Sequence, residues 1–179
     1  MARQRLYIVT LLVMLALTVM GGRVYSQGGP DAVLSEEVRQ TVHDIRQATR
    51  GFREIDAATE AGYGVFLDCF TGDGSGDMGQ HYVHGELVSD DELDPLQPEA
   101  LVYEPQADGS LTLVALEYLV FEDQWAGDEP PALFGQEFHL KTEIPDTPPV
   151  WALHLWLWTH NPNGMFADYN PTVFCPTAG

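Results

Sequence analysis

The chain has 179 residues, 45% of them hydrophobic, with 27 Asp and Glu against 8 Lys and Arg and a formal charge of -19. That imbalance repels nucleic acid and anionic membrane surfaces and favours cations, a cationic partner or simple solvation. The part that follows the first apolar run is long enough for one domain with its own core.

Arg3 and Arg5 precede an apolar run from Leu6 to Met20, and Gly21-Gly22 leads to the small-residue ending Val24-Tyr25-Ser26. This pattern reads as a secretory signal peptide over residues 1–26, because the run is shorter than the roughly 20 residues a membrane-spanning helix needs. Residues 27–34 read as a linker and 35–179 as a single domain, periplasmic or extracellular, with no membrane association after cleavage. Cys69 and Cys175 are the only cysteines. In an oxidising compartment such a pair reads as one disulfide, the alternative being two unrelated buried thiols.

Ser35, followed by Glu36 and Glu37, is an N-cap signal with acids placed to favour the helix dipole. Val38, Val42, Ile45, Thr49, Phe52 and Ile55 then recur every three or four residues, which predicts one amphipathic helix, bent at Gly51 and ending near Gly62 or Gly64. Arg39, Arg46, Arg50 and Arg53 lie among its acids as a solvated face. His43 falls outside the apolar stripe and reads as a surface histidine.

From Val65 the helical period disappears. Short apolar runs at Val65 to Phe70, Gln80 to His84, Ala100 to Tyr103, Leu111 to Phe121, Gln136 to Leu140 and Val150 to Thr159 predict strands. Asp108-Gly109 marks a hairpin and Asn161-Pro162-Asn163-Gly164 a tight turn. No strand-helix-strand alternation is present, so the expected fold is α+β, with an N-terminal amphipathic helix packed on a curved antiparallel sheet or small β-barrel.

Two strands carry chemistry. In Leu153-His154-Leu155-Trp156-Leu157-Trp158-Thr159-His160 the leucines share one face, and His154, Trp156, Trp158 and His160 share the other. Both faces are bulky, so His154 is expected to be covered and to need a partner. In Leu111 to Val120 the acid Glu117 falls on an apolar row with Leu111, Leu113, Ala115 and Leu119. A buried carboxylate is costly unless paired, protonated or bound to a cation, and Lys and Arg are scarce here. Four histidines lie on predicted strands. His81 and His84 have opposite parity, so only one can face inward, and Val83 favours His81 over His84.

His81, Glu117, His139 and His154 are therefore the expected metal-ligand set, suited to a divalent transition metal such as Zn, Fe, Mn or Cu. Trp156, Trp158, Tyr82 and Tyr118 are candidate walls. The alternative is a metal-free network of His and Glu in the core of a non-enzymatic secreted binding or structural domain. Asp73-Gly74-Ser75-Gly76-Asp77 lacks the closing acid of a calcium loop and reads as a turn. No nucleophile elbow or phosphate loop is present, and no catalytic residue is assigned.

Several strings taken together, Met78-Gly79-Gln80-His81-Tyr82-Val83, Leu93-Asp94-Pro95 with Pro98-Glu99-Ala100-Leu101-Val102-Tyr103-Glu104-Pro105, Leu133-Phe134-Gly135-Gln136, and Leu153 to Trp158 with Asn161-Pro162-Asn163-Gly164-Met165-Phe166-Ala167, resemble an uncharacterised family of exported bacterial proteins. The resemblance implies a secreted single domain with its cysteine pair near the two ends of the sheet region. It implies no activity. The function expected from the residues themselves is binding or transformation of a small molecule at a buried His and Glu site.

Overall fold

The computed structural model describes residues 34–72, 74–90 and 92–176, so the expected signal peptide and nearly all of the linker lie outside the described residues. Helix α1 spans Glu36–Thr49, and the Ser35 side chain accepts the Val38 amide at 3.2 Å, as the N-cap signal implies. The predicted single helix is in fact interrupted. A 3-10 turn at Arg50–Arg53 leads into a short second helix, α2, at Ile55–Glu60. The Gly51 region thus breaks the helix instead of bending it.

The chain leaves α2 through Gly62, whose φ of +103° favours glycine and whose added Cβ would stand 2.7 Å from His84 Nε2.

Among the described residues eight strands follow: β1 Tyr63–Thr71, β2 Asp77–His84, β3 Ala100–Pro105, β4 Leu111–Phe121, β5 Ala132–Leu133, β6 Gln136–Glu137, β7 His139–Lys141 and β8 Val150–Leu155. Six of them form one antiparallel sheet in the order β1-β2-β3-β4-β8-β7, and β5-β6 is a separate hairpin. The sheet curls strongly into a half-barrel. It does not close into a barrel, since β1 and β7 are its edges. Asp108-Gly109 turns β3 into β4 as expected, with Gly109 at φ +85° and the Asp108 side chain accepting the Ser110 amide.

The two faces of the sheet have different cover. On one, α1, the 3-10 turn and α2 supply Ile45, Val42, Phe52, Ile55 and Ala58, which pack on Tyr63, Leu101, Tyr103, Leu116, Tyr118, Leu153 and Leu155. On the other lie Ala100, Leu119, Val150 and Ala152, and beside them Val102, Val114, Ala115 and Trp156. The predicted row Leu111, Leu113, Ala115, Glu117, Leu119 does not share one face. Val102 pairs with Ala115 and Tyr103 with Leu113, so Val114 is an extra residue, a bulge that switches parity. Leu113 joins the helix side, while Ala115, Glu117 and Leu119 turn to the other.

A second correction concerns the tryptophan strand. Its pairing to β4 stops at Leu155. Beyond it the Trp156 amide bonds Met165 O and the Trp158 amide bonds Val114 O. The alternation is lost, and Trp158 packs on the helix side beneath Arg46 and Arg53, 5.2 and 5.8 Å from its ring centroid. Only Trp156 stays beside His154.

Cys69 and Cys175 form a disulfide closing 106 residues of sequence. The chain-entropy model assigns such a loop about 4 to 5 kcal/mol of stabilisation. The tail it pins runs antiparallel to the start of β2, where Asp77 and Asn170 exchange backbone hydrogen bonds. No helix among the described residues is long and apolar enough to cross a membrane.

Candidate metal centre

Three of the four expected ligands converge. His81 comes from β2, Glu117 from β4 and His154 from β8, and one ligand atom of each lies within 4.8 Å of the others. Register explains the meeting. Glu117 pairs directly with His154 on one side and with Ala100 on the other. His81 sits across β3, opposite Val102. Two strand spacings, roughly 9.5 Å, separate β2 from β4. The small Ala100 between them and the curl of the sheet let the imidazole reach over. Gly79, two residues before His81, permits the close approach of β2 to β3, because a Cβ there would stand 2.7 Å from Tyr103 O.

All three side chains are buried, with His154 at 0% and Glu117 at 7% exposure. His81 Nε2 stands 3.4 Å from Glu117 Oε2, and His154 Nδ1 stands 3.5 Å from Glu117 Oε1. Both lengths exceed those of an effective charge-assisted hydrogen bond. Both ring nitrogens of His154 have no hydrogen-bond partner, and Nδ1 of His81 has none beyond a weak contact with the backbone of Gly79. Burial also neutralises the cluster. It pushes Glu117 up to about 8, only partly countered by Lys141, and lowers His81 to about 4. It lowers His154 to about 3, reinforced by His81. Burial thus favours two neutral imidazoles and a protonated carboxyl group over an ion pair.

Such a set is a poor core and a good ligand shell. Unbonded buried nitrogens cost about 1 to 3 kcal/mol each. Neutral imidazoles offer the lone pairs a metal takes, and ligand atoms at about 2.0 to 2.2 Å around a tetrahedral ion stand about 3.4 Å apart. The cluster can hold a metal ion. His154 stacks nearly parallel on Trp156, with centroids 5.8 Å apart, which fixes its ring plane.

His139 does not join this cluster. Its Nδ1 lies 3.1 Å from Asp168, which also takes Lys141 Nζ at 2.6 Å. The short β7 lies at the edge of the sheet, so the His139 ring is half-exposed and a nearer anion captures it. The hydrogen bond that His139 donates to the Asp168 carboxylate holds the imidazole above its ordinary pKa. Burial works against Asp168, yet the hydrogen bonds from His139 and Lys141 hold its carboxyl well below the usual range. His84 faces the other way, with Nε2 3.0 Å from Ala61 O and its ring edge-on to Tyr63. Of the expected aromatic walls, Tyr82, Tyr118 and Trp158 lie on the helix side.

His81 and Glu117 form part of the wall of a cavity of about 760 Å³ on the face of the sheet opposite the helices, whereas His154 is fully buried and does not line it. Lys141, Asp168 and this cavity were not legible beforehand. Asp168 sits in an irregular segment with no periodicity to place it. Nor was Glu99 singled out, although it is a second buried acid at 1% exposure. No protein family, curated protein or solved structure matches this chain.

Proposed function

We propose that this is an exported, disulfide-linked domain whose His81, Glu117 and His154 bind one divalent transition metal ion, and that the centre binds or transforms a small molecule admitted by the cavity. The observation that carries this reading is the convergence of two uncharged, unbonded imidazoles on one buried carboxyl group. Two histidines and a carboxylate suit zinc, and equally iron, manganese or copper. His81 and Glu117 face the cavity and His154 closes the back, so a free coordination position would open toward a ligand and not into the core. A metal there would supply Lewis acidity, polarising a bound carbonyl or acidifying a bound water.

The rival is a metal-free structural network. It is weakened by separations of 3.4 and 3.5 Å that make poor hydrogen bonds and by nitrogens left without partners. The disulfide supports the exported reading, as does the resemblance to exported proteins. Total metal analysis of the purified protein tests the proposal. About one transition metal ion per chain is expected, with a rise in melting temperature on adding the right metal. No stoichiometric metal after expression in supplemented medium, and no thermal shift with Zn, Fe, Mn or Cu, contradicts it.

A further inference from the structure

We infer that the cavity takes an amphiphile with an anionic head, of the alkyl or aryl carboxylate class, whose head meets the His81 and Glu117 side and whose apolar body lies along the wall. This deepens the metal reading and rests on it. The wall is built mainly of large apolar side chains, among them Phe66 and Phe70 of β1, Val83 of β2, and Leu119 and Phe121 of β4. Its volume of about 760 Å³ lies within the range of small-molecule sites. Phe66 is 48% exposed, unlike the apolar residues packed under the helices. A ligand body lying between β1 and β4 would cover it.

Charge selects the head. A divalent ion with ionised Glu117 leaves one net positive charge at the cavity wall, and Lys141 stands 2.6 Å from Asp168, a carboxylate it shares with His139, so that acid leaves no negative charge to offset the centre. Glu143, also on the wall, is exposed and solvated. A buried net positive charge calls for an anion, although the chain as a whole is at -19 and would repel one. A neutral or cationic head leaves that charge uncompensated.

The test titrates decanoate, decan-1-ol and decylamine calorimetrically into the zinc-loaded protein, with zinc stoichiometry measured on the same samples. The expected result is one decanoate per chain, bound at least about tenfold more tightly than decan-1-ol, with no decylamine binding. Phe66→Ser, at a half-exposed position that tolerates polarity, should weaken decanoate about fivefold to tenfold and leave zinc stoichiometry unchanged. Glu117→Gln should abolish zinc binding and with it the preference for decanoate over decan-1-ol. Zinc bound at one per chain without that preference, or a Phe66→Ser protein that binds decanoate normally, overturns this inference and leaves the metal centre standing. A protein that takes up none of Zn, Fe, Mn and Cu overturns both, and one that takes another of these in place of zinc is titrated loaded with that metal.

Discussion

Among the described residues two carboxylates, Glu99 and Glu117, are buried at this sheet, and their surroundings differ in kind. Glu99, just before β3, accepts the Leu119 amide at 3.0 Å. That amide lies in β4 beyond the first residue of β3, Ala100, which pairs with Glu117, so the side chain takes the place of a strand partner the sheet does not supply. Glu117 faces two imidazoles, neither close enough to bond well, with both ring nitrogens of His154 unpaired beside it. Burial pushes both acids up to about 8. A shifted acid therefore does not by itself mark a site. What separates the two is whether the neighbouring polar atoms have partners.

The comparison breaks most sharply on metal occupancy. Glu117→Gln is expected to reduce bound metal from about one ion per chain to nearly none by total metal analysis, while Glu99→Leu leaves it unchanged. Equal loss in both variants would mean that neither acid is a specific ligand. On stability the ranking reverses in the metal-free protein. Glu99→Leu leaves the buried Leu119 amide unpaired and should cost about 1 to 3 kcal/mol in urea unfolding. Glu117→Gln removes no well-formed hydrogen bond and should cost less.

A third distinction is in pH dependence. Each acid keeps its proton in the fold up to about 8 but releases it near 4.5 when unfolded, so the folded state binds more protons across that window. Stability of the metal-free protein should therefore fall as pH rises from 4.5 to 8. His81 and His154 act oppositely below 6.5, because the fold holds them neutral. The net decline should be clearest between pH 6.5 and 8. Glu99→Gln should remove its share with or without metal, whereas metal loading should remove the share of Glu117 alone. Chemical denaturation at half-unit pH steps reads this directly, and a flat profile in the metal-free protein would contradict the burial of both acids.

The smallest effect belongs to His139, whose ring is half-exposed and whose ion pair with Asp168 lies near the surface. His139→Ala should cost less than about 1 kcal/mol and leave metal content unchanged, as measured by melting and metal analysis. Loss of the metal would return His139 to the ligand set.

The sequence carried the site further than the fold that frames it. Period-two parity separated His81 from His84, and the scarcity of cations around Glu117 flagged a group that needed a partner. Both arguments are local and survive folding. Parity failed where the backbone stopped being regular: at the Val114 bulge, which moves Leu113 to the helix side, and after Leu155, where the Trp158 amide turns to Val114. No propensity marks such irregularities, because they arise from how neighbouring strands meet. His139 was misplaced for a related reason: Asp168, its real partner, comes from a stretch without period. Glu99 was missed because its role, capping an amide on β4, exists only once β3 and β4 are paired.

Anomalous diffraction from crystals grown with the metal that raises the melting temperature tests the central claim most directly. The account predicts one strong peak at about 2.0 to 2.3 Å from nitrogens of His81 and His154 and an oxygen of Glu117, with none at Glu99. A peak elsewhere, or none at this trio in a crystal that holds the metal, would contradict it.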